Sequence, residues 1–157
     1  MPMIEEGKKA PLFTLASSEG GEVNLKDLKG KTVVLYFYPK DDTPGCTREA
    51  CEFRDTQAPI KKAGALVFGV SGDSLESHGK FKTKYKLNFP LLSDQGNAVA
   101  AKFGAYGEKT LYGRKFMGII RSTFIIDGDS VVRKVFPRVK VDGHAEKVLE
   151  AVKALSK

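Results

Sequence analysis

Only two cysteines occur in these 157 residues, Cys46 and Cys51, and they stand within six positions of each other. That scarcity excludes a disulfide-framed fold. The closeness argues against a structural staple, because a disulfide stabilises chiefly by closing a long loop in the unfolded chain. No stretch approaches the roughly 18 uninterrupted apolar residues of a membrane helix, and the opening "MPMIEEGKKAPLF" has no apolar run that could serve as a secretory signal. The expectation is a soluble, cytoplasmic chain with no membrane partner, in a reducing compartment. There a close pair of thiols is more often catalytic, redox-active or metal-binding than permanently bridged. Internal repeats, low-complexity tracts and linkers are lacking too. With 41% hydrophobic residues, the chain suits a single domain over residues 1–157 better than two.

What is plentiful is positive charge, formally +7. The basic residues are scattered. In "SHGKFKTKYKLNF", Lys80, Lys82, Lys84 and Lys86 recur every second position, which on a helix spreads them over a solvated surface, while Phe81 and Tyr85 share the buried side. Without aromatic interleaving or a binding motif, a solvated face is the reading and nucleic acid is not an expected partner.

Along the chain, "PLFTLASSEGGEVNLKDLKGK" reads as an N-terminal covering hairpin followed by a brief helical turn at Leu25 to Leu28. "TVVLYFY" is a continuous apolar run expected of a strand buried on both faces. A helix is expected from Thr43 to about Ala63, a second buried strand at "GALVFGVSG", and a second helix from Ser77 to Leu87. "NFPLLSD", interrupted by Pro90, reads as a weak or edge strand, and "QGNAVAAKFG" as helix. "GIIRSTFIIDGDSVVRKVF" reads as two strands joined at Asp127 to Ser130. A closing amphipathic helix carries Ala145, Val148, Leu149, Val152 and Leu155 on one stripe. The pattern is α/β: a mixed central sheet flanked by helices on both faces.

The cysteine segment, "YFYPKDDTPGCTREAC", can be read chemically. Pro39 ends the strand, Thr43 is a candidate N-cap and Pro44 takes the first helical position, where its missing N–H costs nothing. Cys46 falls in the first turn, where free backbone N–H groups and the helix dipole favour an anion. A helix terminus contributes at most about 2 kcal/mol, and Asp41 and Asp42 nearby have the wrong sign. A cation from elsewhere is therefore needed. Arg48 is turned about 200° away around the helix. Arg121 opens the apolar run "RSTFIID", an expensive place for a guanidinium without an anionic partner. From residues alone, a satisfied strand-end arginine remains an equal alternative. Cys51 lies about 8.7 Å from Cys46 along a continuous helix and some 140° around it, beyond the roughly 7 Å a disulfide tolerates. Either the two never pair, or the helix unwinds locally when they do.

"PKDDTPGC" matches the Pro-x-x-x-Thr-x-x-Cys signature of the peroxiredoxins, and the second cysteine five residues on resembles the peroxiredoxin Q (bacterioferritin comigratory protein) subfamily. The likeness extends through "KKAPLFTL", "GVSGDS", "FPLLSD", "GIIRSTFIID" and "HAEKVLEAV". The resemblance implies a thioredoxin-like fold, Cys46 as peroxidatic cysteine and Cys51 as resolving cysteine. Pro39 would shield the thiolate, and Thr43 and Arg121 would orient peroxide oxygens. It further implies hydrogen peroxide and organic hydroperoxides as substrates, an intramolecular disulfide, thioredoxin or glutaredoxin as reductant, a monomer, and no cofactor or metal.

Other chemistries fit less well. A thioredoxin-like disulfide oxidoreductase normally shows Cys-x-x-Cys. Zinc held by Cys46, Cys51, His78 and His144 has no recognised spacing, and His144 reads most simply as a surface residue. "GKT" at Gly30 to Thr32 lacks the upstream glycine of a phosphate loop. Asp127 and Asp129 read as turn residues, and Asp41 and Asp42 as loop solvation.

Overall fold

The computed structural model describes residues 3–155. Its elements in chain order are β1 (Thr14–Ser17), β2 (Glu22–Asn24), a 3-10 turn (Leu25–Leu28), β3 (Thr32–Phe37), α1 (Pro44–Lys62), β4 (Ala65–Ser71), α2 (Leu75–Tyr85), β5 (Leu91–Ser93), a second 3-10 turn (Gln95–Asn97), α3 (Ala98–Phe103), β6 (Tyr106–Leu111), β7 (Arg114–Ile119), β8 (Ser122–Ile126), β9 (Val132–Phe136) and α4 (His144–Leu155). The main sheet has the order β2-β1-β5-β4-β3-β8-β9, parallel across β3, β4 and β5 and antiparallel elsewhere.

Strand β3 at the centre is apolar on both faces because each face is covered. Val33, Leu35 and Phe37 join Phe13, Leu25, Val99, Phe103 and Phe124 in one core layer. Val34 and Tyr36 join Phe53, Ile60, Phe81, Val148 and Val152 in the other, beneath α1, α2 and α4. A parallel pair needs such cover on both sides, which is why "TVVLYF" lacks polar alternation. The mixed central sheet with helices on both faces, read from the alternation, is the arrangement observed.

Several local expectations change. The N-terminal hairpin is part of the main sheet and not a separate cover: β1 pairs with β5, Ala16 opposite Ser93. That pairing moves "LLS" from an edge to the interior, and Pro90 escapes the ladder by standing just before the strand. Helix α2 starts at Leu75, two residues before the expected Ser77, because the Ser74 hydroxyl caps it by accepting from the Ser77 N–H. Tyr85 is only half-buried beside the buried Phe81. The hairpin β6–β7 was not expected. Its two-residue loop is Tyr112-Gly113, both at positive φ (50° and 76°), the backbone geometry that Asn-Gly supplies more visibly. Ile120 and Arg121 lie between β7 and β8, so Arg121 stands just before the strand it was expected to open. No helix among the described residues is long and apolar enough to cross a membrane.

Candidate active site

The loop from Tyr38 to Asp42 sets the start of α1, and it is held from two sides. Tyr38, one residue past β3, donates its N–H to Val70 O at 3.0 Å. Asp41 is buried and not a solvated loop residue. Its Oδ1 accepts from Tyr38 Oη at 2.6 Å and its Oδ2 from Ser77 Oγ at 2.8 Å, while its own N–H donates to Asp73 Oδ2 at 2.8 Å. His78 Nδ1 lies 2.7 Å from Asp41 Oδ2, and His78 Nε2 donates to Leu92 O at 2.9 Å. Asp42, at φ 57°, accepts from Lys84 Nζ and Tyr85 Oη, both at 2.8 Å. The lysine run thus supplies one clamp on the loop. Lys82 and Lys80 pair with Glu19 and Glu76.

From this clamp the chain enters α1 with Thr43 at the N-cap position (φ −100°, ψ 155°) and Pro44 first in the helix. The Thr43 side chain makes no capping bond. Its Oγ1 donates instead to Lys40 O at 2.9 Å, which leaves the hydroxyl lone pairs available as acceptors. Pro39 is exposed in the same loop.

Cys46 is almost fully buried at 1% exposure, in the core layer of Tyr36, Tyr38, Ala50 and Phe53. The Arg121 guanidinium reaches it from the other end of the chain: Nη2 donates to Cys46 Sγ at 3.3 Å, and Nη1 donates to Glu49 Oε1 at 2.6 Å. One planar cation therefore bridges a thiol and a carboxylate, the two-point contact for which arginine is suited and lysine is not. Burial works against the charge on Arg121, but Glu49 and Cys46 outweigh it and hold its pKa above the ordinary arginine value. Gly45 makes room for this approach, since a Cβ there would stand 3.3 Å from Arg121 Nη2.

Glu49 was not singled out in the sequence, although its position three residues after Cys46 places both on one helix face. It is 1% exposed, and its Oε2 has no hydrogen-bond partner. Burial outweighs the pull of Arg121 and pushes the carboxyl up to about 7. Beneath it, Tyr36 stacks on Phe53 at 4.6 Å with an equally unpartnered hydroxyl, whose pKa burial and the nearby Glu49 hold well above the usual phenol value. Such half-satisfied buried polar groups are the exception in folded proteins and gather where polar chemistry is kept.

Cys51 is half-buried on the continuing α1, and both cysteines are free thiols. The four residues weighed as zinc ligands are not gathered. His78 is engaged by Asp41 and Leu92. His144 is buried and not a surface residue, its Nε2 2.7 Å from Thr123 Oγ1 and its ring packed edge-on to Phe53 and Phe136. Burial, with Lys147 and Arg121 adding repulsion, pushes its pKa down to about 4. Among the described residues, the cluster with potential ligand atoms in reach of one another is Asp41, Asp73 and His78, which contains neither cysteine. Arg48, turned outward, pairs with Asp142 at 3.4 Å.

Residues 6–135 match the AhpC/TSA family model. The chain is similar to a bcp-type peroxiredoxin of Coxiella burnetii, 54% identical over 146 residues that make up 93% of this chain and 97% of that protein. It is also similar to peroxiredoxin Bcp of Bacillus subtilis, 47% identical over 153 residues and 98% of each chain. The structure of Xanthomonas campestris peroxiredoxin Q superposes with a TM-score of 0.88 at 43% identity, covering 92% of both chains.

Proposed function

Because this chain belongs to the AhpC/TSA family, as a thiol-dependent peroxidase of the peroxiredoxin Q or Bcp kind, we propose that Cys46 is its peroxidatic cysteine and Cys51 its resolving cysteine. Arg121, Thr43 and Pro39 complete the pocket. The observation that carries the assignment is the Arg121 guanidinium at 3.3 Å from Cys46 Sγ, at the N-terminal turn of α1.

The Cys46 thiolate attacks the distal oxygen of a hydroperoxide. An S–O bond forms, the O–O bond breaks and two electrons pass from sulfur to oxygen, leaving a sulfenic acid and an alkoxide or hydroxide that takes up a proton. Arg121 and the backbone N–H groups of the first helical turn stabilise the charge that develops on the departing oxygen, where fixed donors act most strongly. The Thr43 hydroxyl, with its proton committed to Lys40 O, accepts a hydrogen bond from the peroxide O–H. Pro39, in the loop preceding the helix, screens the sulfur from water. Cys51 then displaces hydroxide from the sulfenic acid, giving water and an intramolecular disulfide. An external dithiol, thioredoxin or glutaredoxin, reduces it and closes the cycle. The intact α1 helix keeps the cysteines apart, so the resolving step requires its first turns to unwind. The absence of Cys-x-x-Cys and the Arg121 contact favour this reading over a disulfide oxidoreductase. We read the working form as a cytoplasmic monomer.

The test is peroxide consumption coupled to thioredoxin, thioredoxin reductase and NADPH, with hydrogen peroxide and cumene hydroperoxide. Turnover with both that disappears in Cys46→Ser is expected. Undiminished turnover in that variant would overturn the assignment.

A further inference from the structure

Beside Arg121 lies an open cavity of about 500 Å3 whose lining includes Lys109, Ile120, Arg121, Arg138 and Val139. Its near wall comes from β6, through Glu108, Lys109 and Thr110. In the register of the β6–β7 hairpin Lys109 stands opposite Phe116 and Gly107 opposite Gly118, and both pairs belong to the same face of the ribbon. The space above these facing glycines is filled by neighbouring side chains. A Cβ on Gly118 would meet Lys109 Cδ at 3.3 Å and Phe116 Cε2 at 3.4 Å, and one on Gly107 would meet Ile120 Cδ1 at 3.3 Å. The Lys109 stem therefore lies over Gly118, toward the end of the hairpin that leads into Arg121. The far wall is fixed by Val139, whose N–H donates to Arg121 O at 2.9 Å, and by Arg138 at φ 51°.

The charge balance of this cavity is one-sided. Lys109, Arg121 and Arg138 line it with one carboxylate, Glu108, which is paired with Lys115 at 3.7 Å. Arg121 is committed to Cys46 and Glu49. Lys109 has no ion-pair partner among the described residues, and it sits close enough to Arg121 and Cys46 to feel both charges. Burial, then Arg121, lowers its pKa, while Cys46 pulls the other way. An ammonium held beside another cation is a poor arrangement for the empty site. It becomes a good one once an anion enters.

We propose that Lys109 is a specificity residue of the peroxide pocket, taking the anionic group of hydroperoxides that carry one while the cavity that Ile120 and Val139 help to line admits the connecting carbon frame. The inference rests on the reading of Cys46 as the peroxidatic cysteine. It implies that the site favours a carboxylate-bearing hydroperoxide over its neutral counterpart.

The test is rapid mixing of the fully reduced protein, without any reductant, with cumene hydroperoxide or its para-carboxylate, reading Cys46 oxidation alone. In Lys109→Met the ratio of second-order rate constants, carboxylate over neutral, is expected to fall about fivefold, the scale of one partly exposed charge pair. Lys109→Arg is expected to keep the parental ratio, and added salt to lower it more steeply in the parent than in Lys109→Met, where Arg121 and Arg138 remain. A ratio unmoved in Lys109→Met, or equally reduced in Lys109→Arg, would overturn the role of Lys109 alone. A parent protein oxidised by neither peroxide would overturn the proposed function with it.

Discussion

Arg121 is 75 positions from Cys46 in sequence and 3.3 Å from its sulfur in space, and the same guanidinium holds Glu49 at 2.6 Å. The fold makes this contact by pairing β3 with β8, Phe37 opposite Ser122, so that the residue before β8 overhangs the loop leading into α1. Two-point bridging gives a sharp expectation for substitution. Arg121→Lys keeps the charge but cannot serve sulfur and carboxylate together, so it should lose most of what Arg121→Ala loses. That loss is on the order of 10² to 10³ in the rate of Cys46 oxidation, as for other preorganised donors. Stopped-flow oxidation of the reduced protein measures it. A lysine variant within twofold of the parent would show that charge alone suffices.

Glu49 and His144 predict opposing pH dependences of stability. Glu49 is raised to about 7, so the native state holds a proton that the unfolded chain has released. The stability this adds is present below about 4.5 and is lost as pH rises to about 7. His144 is lowered to about 4, so the unfolded chain takes a proton first. Its contribution is present above about 6.5 and is lost as pH falls to about 4. Between pH 4.5 and 6.5 the two slopes, each at most about 1.4 kcal/mol per pH unit, offset one another. Urea denaturation across that window should show Glu49→Gln gaining stability relative to the parent as pH rises, and His144→Gln losing it. Parallel curves for all three proteins would contradict both assignments.

Disulfide formation should unwind the start of α1. Cys46 and Cys51 lie on one continuous helix, and on such a helix five residues separate Cα atoms by about 8.7 Å. Amide exchange in residues 44–52 should be faster in the oxidised than in the reduced protein, while β3 and β4 stay protected. Equal protection of the segment in both states would contradict local unwinding.

Much of this site was legible in the sequence because local chemistry carries it. Thr43 and Pro44 announce the start of α1, and a cysteine in the following turn acquires its surroundings from the helix geometry itself. The buried strand β3 declared itself by its unbroken apolar run. What was hidden depends on contacts distant in sequence. Asp41 looked like loop solvation because nothing in "PKDDT" shows that Ser77 and His78 arrive from α2, and Asp73 from the loop before it, to bury it. Glu49 was not singled out because its partner Arg121 stands 72 positions away. The β6–β7 hairpin escaped because Tyr112-Gly113 is an inconspicuous turn, and with it went Lys109 and the cavity beside Arg121. His144 was read as exposed because the aromatic surroundings that bury it, Phe53 and Phe136, belong to other elements.

The division of labour between the two cysteines is tested most directly by intact mass and peptide mapping after graded peroxide, on the parent and on Cys51→Ser. The parent should lose two hydrogens and yield a Cys46–Cys51 linked peptide at one equivalent of peroxide. Cys51→Ser should instead gain oxygen on Cys46, one atom and then a second as peroxide rises, because its sulfenic acid has no thiol to capture it. A parent protein that accumulates oxygen on Cys46 while Cys51 stays a free thiol would contradict the account, as would a Cys51→Ser protein that gains no oxygen and turns over with thioredoxin at the parental rate.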